Sequence, residues 1–133
     1  MTEENIHQKQ FVVKDQDAVH FMGPGVPPVL ATPALLLWME MTSREHAGPL
    51  LNPGEETVGA SVILKHLAAT PVGMTVRVIS KLTKVEGRKY TFEIEAFDEV
   101  EKIGEALHER ARINVAKFAS RVGEKKLKPG PAS

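Results

Sequence analysis

One long apolar segment with a single ionisable residue constrains the fold of this chain more than any other feature. Residues 34–41 read ALLLWMEM, in which only Glu40 can carry a charge. A helix of this sequence has no polar stripe to face water, so most of its sides are expected to be buried. Burying a carboxylate is unfavourable unless it is paired, hydrogen-bonded or protonated, so Glu40 is also a candidate functional residue.

The residues on either side of this segment define a helix. Thr32 is predicted as its N-cap, with Pro33 in the first turn, since both residue types favour those positions. The helix is expected to continue to about His46 and to end near Gly48 and Pro49, which are typical of helix ends.

Strand-like patterns surround the helix. One short strand is predicted ahead of it, over residues 10–14, and the apolar pattern changes to period two after it. Four strands are predicted there, over residues 57–67, 74–85, 88–97 and 103–115, with short turn-like segments between them. One face of the first of these is expected to carry Val58, Ala60, Val62, Leu64 and His66.

An antiparallel sheet wrapped around one central helix satisfies this order of elements, because the apolar face of the sheet meets a helix that is apolar on nearly all sides. The prediction is therefore an α+β chain with the hot-dog fold. Edge pairing between two such sheets would produce a homodimer. The outward face of the last strand is expected to carry Ala106, His108, Arg110, Arg112 and Asn114.

The composition indicates a single domain over residues 1–133, with residues 119–133 as a flexible tail. Lys+Arg and Asp+Glu balance at 17 each, so no net charge attracts nucleic acid or a membrane surface. No apolar run approaches the ~20 residues of a membrane span, and the first ten residues, MTEENIHQKQ, are too polar for a secretory signal. Without cysteine there is no disulfide or thiolate metal site, and we expect a cytoplasmic protein without a metal.

Glu40 and His66 are the main candidates for acid–base chemistry. A carboxylate on the helix can orient an imidazole on the facing strand and stabilise its charged form, which makes a useful base near neutral pH. Each residue also has a structural interpretation. Glu40 can face solvent or pair with Arg44 one turn later, and a lone histidine on an apolar face is commonly a satisfied core residue.

Thr32 is the third candidate. Its N-cap role is compatible with a catalytic one, because negative charge is favoured beside the exposed N–H groups of a helix start. Eight residues separate Thr32 from Glu40, which corresponds to about 12 Å along a helix axis. Two arrangements remain open: a substrate bridges the two side chains, or a dimer partner supplies one of them.

Residues 22–28 form a segment, MGPGVPP, rich in proline and glycine ahead of the helix. Proline has no N–H to donate, so the segment is a poor phosphate-binding loop. A lid over a cleft and an ordinary turn-rich connection are both consistent with it.

A series of motifs extends from about residue 29 to residue 118. They are Val29-Leu30-Ala31-Thr32 with Glu40 eight residues on, Val58-Gly59-Ala60, His66-Leu67-Ala68-Ala69-Thr70-Pro71, Val85-Glu86-Gly87-Arg88 and His108-Glu109-Arg110-Ala111. In this order and spacing the chain resembles the fluoroacetyl-CoA thioesterase family of hot-dog proteins. The H-x-A-A-T-P and H-E-R-A segments are the most specific part of the resemblance.

The resemblance implies hydrolysis of a short acyl-CoA thioester, with Thr32, Glu40 and His66 as the catalytic set. A thioester carbonyl needs a nucleophile, a base and donors aimed at the developing oxyanion. His66 would be the base and Glu40 the nucleophile or water activator, while Thr32 donates a hydrogen bond or attacks directly. Gly59 would offer a backbone N–H near the carbonyl, and Arg110 would shape or anchor the site. Coenzyme A enters as part of the substrate, so no separate cofactor is implied.

The family carries aromatic side chains in a lid segment just ahead of its catalytic threonine. In this chain the corresponding residues 23–28 contain no aromatic residue, and the last one before them is Phe21. We therefore expect a short acyl group other than fluoroacetyl. Either coenzyme A or a carrier protein could deliver it. Candidate contacts to the phosphates of coenzyme A are Lys65, Arg77, Lys81 and the tail lysines. Arg110 and Arg112 are better candidates than these, because they lie on the predicted strand beside His108.

Two other functions are consistent with this fold. A hot-dog hydratase would need an Asp/His pair near the helix start, and residues 32–35, TPAL, contain neither. A non-catalytic acyl-CoA-binding module, acting as a sensor or sink, needs no buried base. The presence of Thr32, Glu40 and His66 together therefore favours the enzyme.

Overall fold

The computed structural model describes residues 5–131 and consists of a five-stranded antiparallel sheet wrapped around one long helix. In chain order its elements are β1 (Ile6–Val12), β2 (Ala18–Val19), β3 (Val29–Leu30), α1 (Thr32–Ala47), β4 (Glu55–His66), β5 (Thr75–Glu86), β6 (Lys89–Phe97), β7 (Lys102–Asn114) and α2 (Val115–Leu127). The strand order is β1-β5-β6-β7-β4, and β2 pairs separately with β3. The hot-dog fold is thus confirmed.

The predicted elements agree with the structure in type, and most agree closely in position. The strand expected over residues 10–14 is β1, which begins earlier, at Ile6, and ends at Val12. Strands β4 to β7 lie within two residues of their predicted bounds. Strands β2 and β3 were not predicted, because two residues each are too few to show a period.

The carboxyl-terminal segment is helical where the sequence suggested a tail. Helix α2 extends to Leu127, and its residues are exposed along its length. The flexibility of residues 119–133 stays a prediction. Residues 1–4 and 132–133, which belong to the predicted domain, lie outside the described residues. Neither helix of the described chain has the length and hydropathy needed to cross a bilayer.

The core forms between α1 and the concave face of the sheet. Trp38 of α1 stacks on Phe11 of β1, with ring centroids 4.8 Å apart. The other fully buried apolar side chains include Leu35, Met39, Val76, Val78, Phe92, Ile94 and Ile103. This burial positions α1 so that one of its sides passes over the neighbouring strands β4 and β7.

One side of α1 is not covered. Leu37 is 53% exposed and Met41 39% exposed, so the expectation that the helix is buried on most sides holds only for its sheet-facing surface. Arg44, one turn beyond, pairs with Glu56 of β4 at 2.9 Å. The exposed apolar stripe therefore lies beside β4, at the edge of the sheet.

A β-bulge divides β4. The pairing with β7 shifts between Gly59 and Ser61, so the two halves of the strand present opposite parities to the helix. Thr57 is buried and Gly59 abuts α1, whereas Ala60 is exposed. The predicted continuous face from Val58 to His66 is therefore wrong in its first half, because a bulge is invisible to a period-two pattern.

The face of β7 was also predicted incorrectly. Ala106, His108 and Arg110 are buried towards α1, whereas Leu107 is largely exposed. Ala106 and Leu107 are adjacent and both apolar, so the sequence does not show which of them faces α1. In the structure, the side of β7 that carries His108 and Arg110 faces α1. Hydrogen bonds from His108 to the Ser61 carbonyl and from Arg110 to Thr57 satisfy these polar side chains there.

Candidate functional site

Thr32 and His66 lie side by side where α1 begins and β4 ends. Oγ1 of Thr32 is 2.8 Å from Nδ1 of His66. The N-cap of α1 is Ala31, and Thr32 is the first residue of the helix. The predicted N-cap role of Thr32 is therefore wrong, and its hydroxyl is engaged by His66 instead.

The imidazole of His66 is suited to accept a proton. Burial lowers the pKa of His66, while the nearby backbone of Ala68 acts in the opposite direction. The ring is therefore neutral near pH 7. Its Nε2 is buried without a hydrogen-bond partner in the described chain. With the proton on Nε2, Nδ1 accepts a hydrogen bond from the Thr32 hydroxyl.

A shallow depression of about 410 Å³ adjoins this pair, with Thr32, His66, Leu30 and Phe21 in its lining. Phe21 is 82% exposed at its rim. Residues 23–28 contain no aromatic side chain, but the structure places this one immediately before them against the depression. Residues 22–27 are exposed beside it, and their role as a lid stays a prediction.

A second polar cluster lies further along α1. Arg110 Nη1 is 3.5 Å from Glu40 Oε2, and the Glu40 side chain is 36% exposed. Glu40 is therefore a half-exposed, ion-paired carboxylate and not the deeply buried one that the sequence suggested. The alternative pairing with Arg44 is also wrong, because Arg44 contacts Glu56.

Gly59 makes the close approach of Glu40 to β4 possible. A Cβ atom at this position would lie 2.5 Å from Glu40 Oε2, which is closer than van der Waals contact permits. Glycine, which has no Cβ atom, is therefore the residue type that lets the Glu40 carboxylate lie this close to position 59. Gly59 and Glu40 are therefore neighbours in the structure, and their roles in a common site stay a prediction.

Arg110 is held rigidly opposite Glu40. Its Nε donates to Thr57 Oγ1 at 2.8 Å, and its Nη2 donates to the Thr57 carbonyl at 2.9 Å. Burial lowers the pKa of Arg110, and the nearby charge of Glu40 raises it. A guanidinium fixed in this way orients the carboxylate without being free to leave it.

His108 is a site residue that sequence reasoning missed as a candidate. It is fully buried, with Nδ1 2.7 Å from the Ser61 carbonyl and Nε2 3.2 Å from Arg110 Nη1. Nδ1 therefore donates and Nε2 accepts, which requires a neutral ring. Burial lowers the pKa of His108, the Ser61 carbonyl raises it, and Arg110 lowers it. The signal was its spacing of two from Arg110, which places both on one face of a strand.

The two clusters are separate within one chain. No hydrogen bond or ion pair within residues 5–131 joins Glu40 to Thr32 or His66. Gly59 and His66 are seven residues apart on β4, a distance on the order of 20 Å. The structure therefore presents two half-sites, one with a hydroxyl–imidazole pair and one with a carboxylate–guanidinium pair.

The chain is similar to characterised thioesterases. The profile of a family described as fluoroacetyl-CoA-specific thioesterase matches residues 13–116. The fluoroacetyl-CoA thioesterase of Streptantibioticus cattleyicolor is 40% identical over 99 residues, covering 74% of this chain and 71% of that protein.

Solved structures agree with these sequence matches. A structure of a fluoroacetyl-CoA thioesterase is 34% identical, with a TM-score of 0.84 over 97% of this chain and 98% of that one. A thioesterase superfamily member from Thermus thermophilus is 31% identical, with a TM-score of 0.84 over 94% of this chain and 93% of that one. The profile match includes both half-sites, and the chain belongs to the fluoroacetyl-CoA-specific thioesterase family.

Proposed function

We propose that this protein hydrolyses a short-chain acyl-CoA thioester to the free acid and coenzyme A, with Thr32, Glu40 and His66 as the catalytic set. The observation that carries the proposal is the 2.8 Å contact between Thr32 Oγ1 and Nδ1 of a neutral His66, at the edge of an open depression. A neutral imidazole on a hydroxyl is an arrangement that activates a nucleophile or a water molecule.

A homodimer would unite the two half-sites. Strand β4 lies at an edge of the sheet, and Leu37 and Met41 expose an apolar stripe of α1 beside it. A two-fold axis near Ile63 would pair β4 with its copy in antiparallel fashion and bring Gly59 opposite His66 of the partner subunit. Of the two arrangements left open by the sequence, this geometry supports the one in which a partner supplies part of the site.

The chemistry follows from this placement. The thioester carbonyl would lie at the Gly59 N–H, which stabilises negative charge as it develops on the carbonyl oxygen. In a direct route, His66 and Glu40 activate a water molecule, His66 takes its proton, and the hydroxide attacks the carbonyl carbon. The C–S bond then breaks, and the departing thiolate takes the proton from His66. In a two-step route, Glu40, oriented by Arg110, or the Thr32 hydroxyl, deprotonated by His66, attacks first and the thiolate leaves. A water molecule deprotonated by His66 then hydrolyses the acyl-enzyme, which releases the acid and restores the side chain. Both routes consume one water molecule and give the acid and the free thiol.

The acyl group is expected to be short and other than fluoroacetyl, because residues 23–28 supply no aromatic lid. Phe21 remains at the rim as an apolar wall. The cytoplasmic location also stays a prediction. The competing function is an acyl-CoA sensor or sink, which would bind the same ligand without turning it over.

Release of free thiol from a panel of acyl-CoAs tests the proposal. The panel contains acetyl, fluoroacetyl, propionyl, butyryl, hydroxylated and aromatic thioesters. Glu40→Gln and His66→Ala are each expected to lower kcat by at least ~100-fold, the scale of an acid–base group, while circular dichroism remains unchanged. Glu124→Gln, at an exposed carboxylate of α2, is the matched control for Glu40→Gln.

The outcomes separate the two functions. Turnover of one short thioester that both substitutions abolish supports the enzyme. Silence across the whole panel, with acyl-CoA binding still detected by calorimetry, supports the sensor. Full activity in both Glu40→Gln and His66→Ala would contradict the catalytic assignment.

A further inference from the structure

His108 is a fully buried polar side chain to which the proposed reaction assigns no step. Its ring lies beside Gly59, since a Cβ atom added to that glycine would lie 3.5 Å from His108 Cε1. Phe92 packs against the ring, with the two ring centroids 6.4 Å apart. Burying an imidazole is unfavourable unless its nitrogens are hydrogen-bonded, and both nitrogens of His108 have partners. The ring therefore has a defined orientation next to the position proposed for the thioester carbonyl.

The β-bulge of β4 determines which nitrogen of His108 carries the proton. Ser61 is the first paired residue beyond the bulge, and its carbonyl oxygen, which can only accept a hydrogen bond, lies 2.7 Å from Nδ1. Nδ1 therefore carries the proton, and Nε2 keeps a lone pair. Arg110 Nη1, which can only donate, lies 3.2 Å from Nε2. The imidazole thus links the backbone of the bulge to the guanidinium group.

The guanidinium of Arg110 directs its N–H donors to two sides. Nε and Nη2 donate to Thr57. Nη1 has two hydrogens, and its partners are His108 Nε2 at 3.2 Å and Glu40 Oε2 at 3.5 Å. Because His108 accepts one of these hydrogens, the other is directed at the carboxylate. Without the Nε2 acceptor, a buried N–H of Arg110 would lose its partner, which favours a reorientation of the guanidinium.

We propose that His108 is a positioning residue, whose Nε2 holds Arg110 Nη1 in the orientation that presents the Glu40 carboxylate to the reacting carbonyl. The inference rests on the proposed function and extends it by one residue. His108 acts through Arg110 and Glu40 and not on the substrate itself. Its loss should therefore lower kcat and leave KM nearly unchanged, because the interaction that suffers is one used in the chemical step.

Two amide substitutions separate the Nε2 acceptor from the rest of the ring. His108→Asn keeps a donor near the position of Nδ1 but is too short to place an acceptor at the position of Nε2. His108→Gln is one carbon longer, so its carbonyl oxygen can accept from Arg110 while its amide nitrogen donates to the Ser61 carbonyl. With a short acyl-CoA, kcat should fall at least about tenfold in His108→Asn and less than about threefold in His108→Gln, with KM within about twofold in both.

The matched control is His46→Asn, which shortens a buried histidine of α1 that hydrogen-bonds to Ser80 at 3.0 Å. This variant should lose stability to urea as His108→Asn does, but it should keep kcat. Equal losses of kcat in His108→Asn and His108→Gln, or an unchanged kcat in His108→Asn, would overturn the proposal. The first outcome would assign His108 a structural role only.

Nitrogen-15 NMR tests the positioning without any turnover. In the unsubstituted protein the ring shifts should show a proton on Nδ1 of His108 and none on Nε2. The two Nη signals of Arg110 should be separate, because a held guanidinium does not rotate, and they should merge in His108→Asn but not in His108→Gln. This result without hydrolysis of any thioester would support the positioning and reject the proposed function. A proton on Nε2, or separate Nη signals in His108→Asn, would overturn the inference and leave the thioesterase standing.

Discussion

The orientation of Glu40 is set at both ends of the residue: its backbone belongs to α1, and its carboxylate contacts Arg110. Arg110 is itself fixed by Thr57 and His108, so the carboxylate is oriented by a chain of contacts that begins in the backbone of β4. Such preorganisation matters in catalysis, where a misplacement of about 1 Å can lower the rate by two orders of magnitude.

Gly59→Ala tests whether the position of the carboxylate is essential. The new Cβ would lie 2.5 Å from Glu40 Oε2, and the flexible end of the glutamate is what must give way. We expect kcat to fall by about 100-fold and the melting temperature to change little. Gly123→Ala is the control, since no atom lies within 4 Å of a Cβ there and alanine favours helix α2. Unchanged kcat in Gly59→Ala would exclude a role for this contact.

Protonation of the buried histidines should couple both activity and stability to pH. Burial is the main cause of the lowered pKa values of His46, His66 and His108. The folded chain therefore binds fewer protons than the unfolded chain below the ordinary histidine pKa of about 6.5. Their contribution to stability is complete above that pH and is lost as pH falls through the lowered pKa values. The value of kcat/KM should fall over the same range, because His66 must be neutral to accept a proton.

Urea unfolding at about pH 7.5 and about pH 5.5 measures this effect. The free energy of unfolding should be lower at the acidic pH, and the difference should shrink in His108→Gln, which keeps a donor for the Ser61 carbonyl but does not titrate. A protein that becomes more stable on acidification would contradict these pKa directions.

Periodicity predicted the helix and the long strands, but it gave the wrong face for β7 and the right face for β4 only beyond the bulge. The change from helical to period-two spacing after the Asn52-Pro53-Gly54 turn located β4 to β7, because each strand is long enough to repeat its pattern. The bulge between Gly59 and Ser61 reverses that pattern within β4, and it leaves no trace in residue type except the glycine itself. Register and bulges depend on tertiary pairing, so sequence spacing alone could not show them.

The candidate site was predictable to a similar extent. Residue types and the family resemblance identified Thr32, Glu40, His66, Gly59 and Arg110 as candidates. In the structure Thr32 and His66 form one half-site, and Glu40, Gly59 and Arg110 form the other. His108 was overlooked because Leu107 appeared to be the inward residue of β7. The ion pair between Glu40 and Arg110 joins residues 70 apart in sequence, and no local pattern encodes such a contact.

The two half-sites of one chain are far apart, so the site depends on how they are combined. If both half-sites act within one chain, a substrate must span a distance on the order of 20 Å between Gly59 and His66. If they act across a β4–β4 dimer, each active site combines Thr32 and His66 of one protomer with Glu40 and Gly59 of the partner subunit. A homodimer would then carry two identical sites, each dependent on both chains.

Mixing two inactive variants decides between these arrangements. A heterodimer of His66→Ala and Glu40→Gln chains contains one site with both substitutions and one site with neither, provided that sites form between chains. Unfolding and refolding an equal mixture should therefore restore about a quarter of the wild-type turnover, since about half of the dimers are mixed and each has one intact site. The control mixes His66→Ala with the doubly substituted chain, in which every site is damaged. Recovery in the first mixture alone supports the shared site, whereas no recovery despite mixed dimers on native mass spectrometry would place catalysis within a single chain.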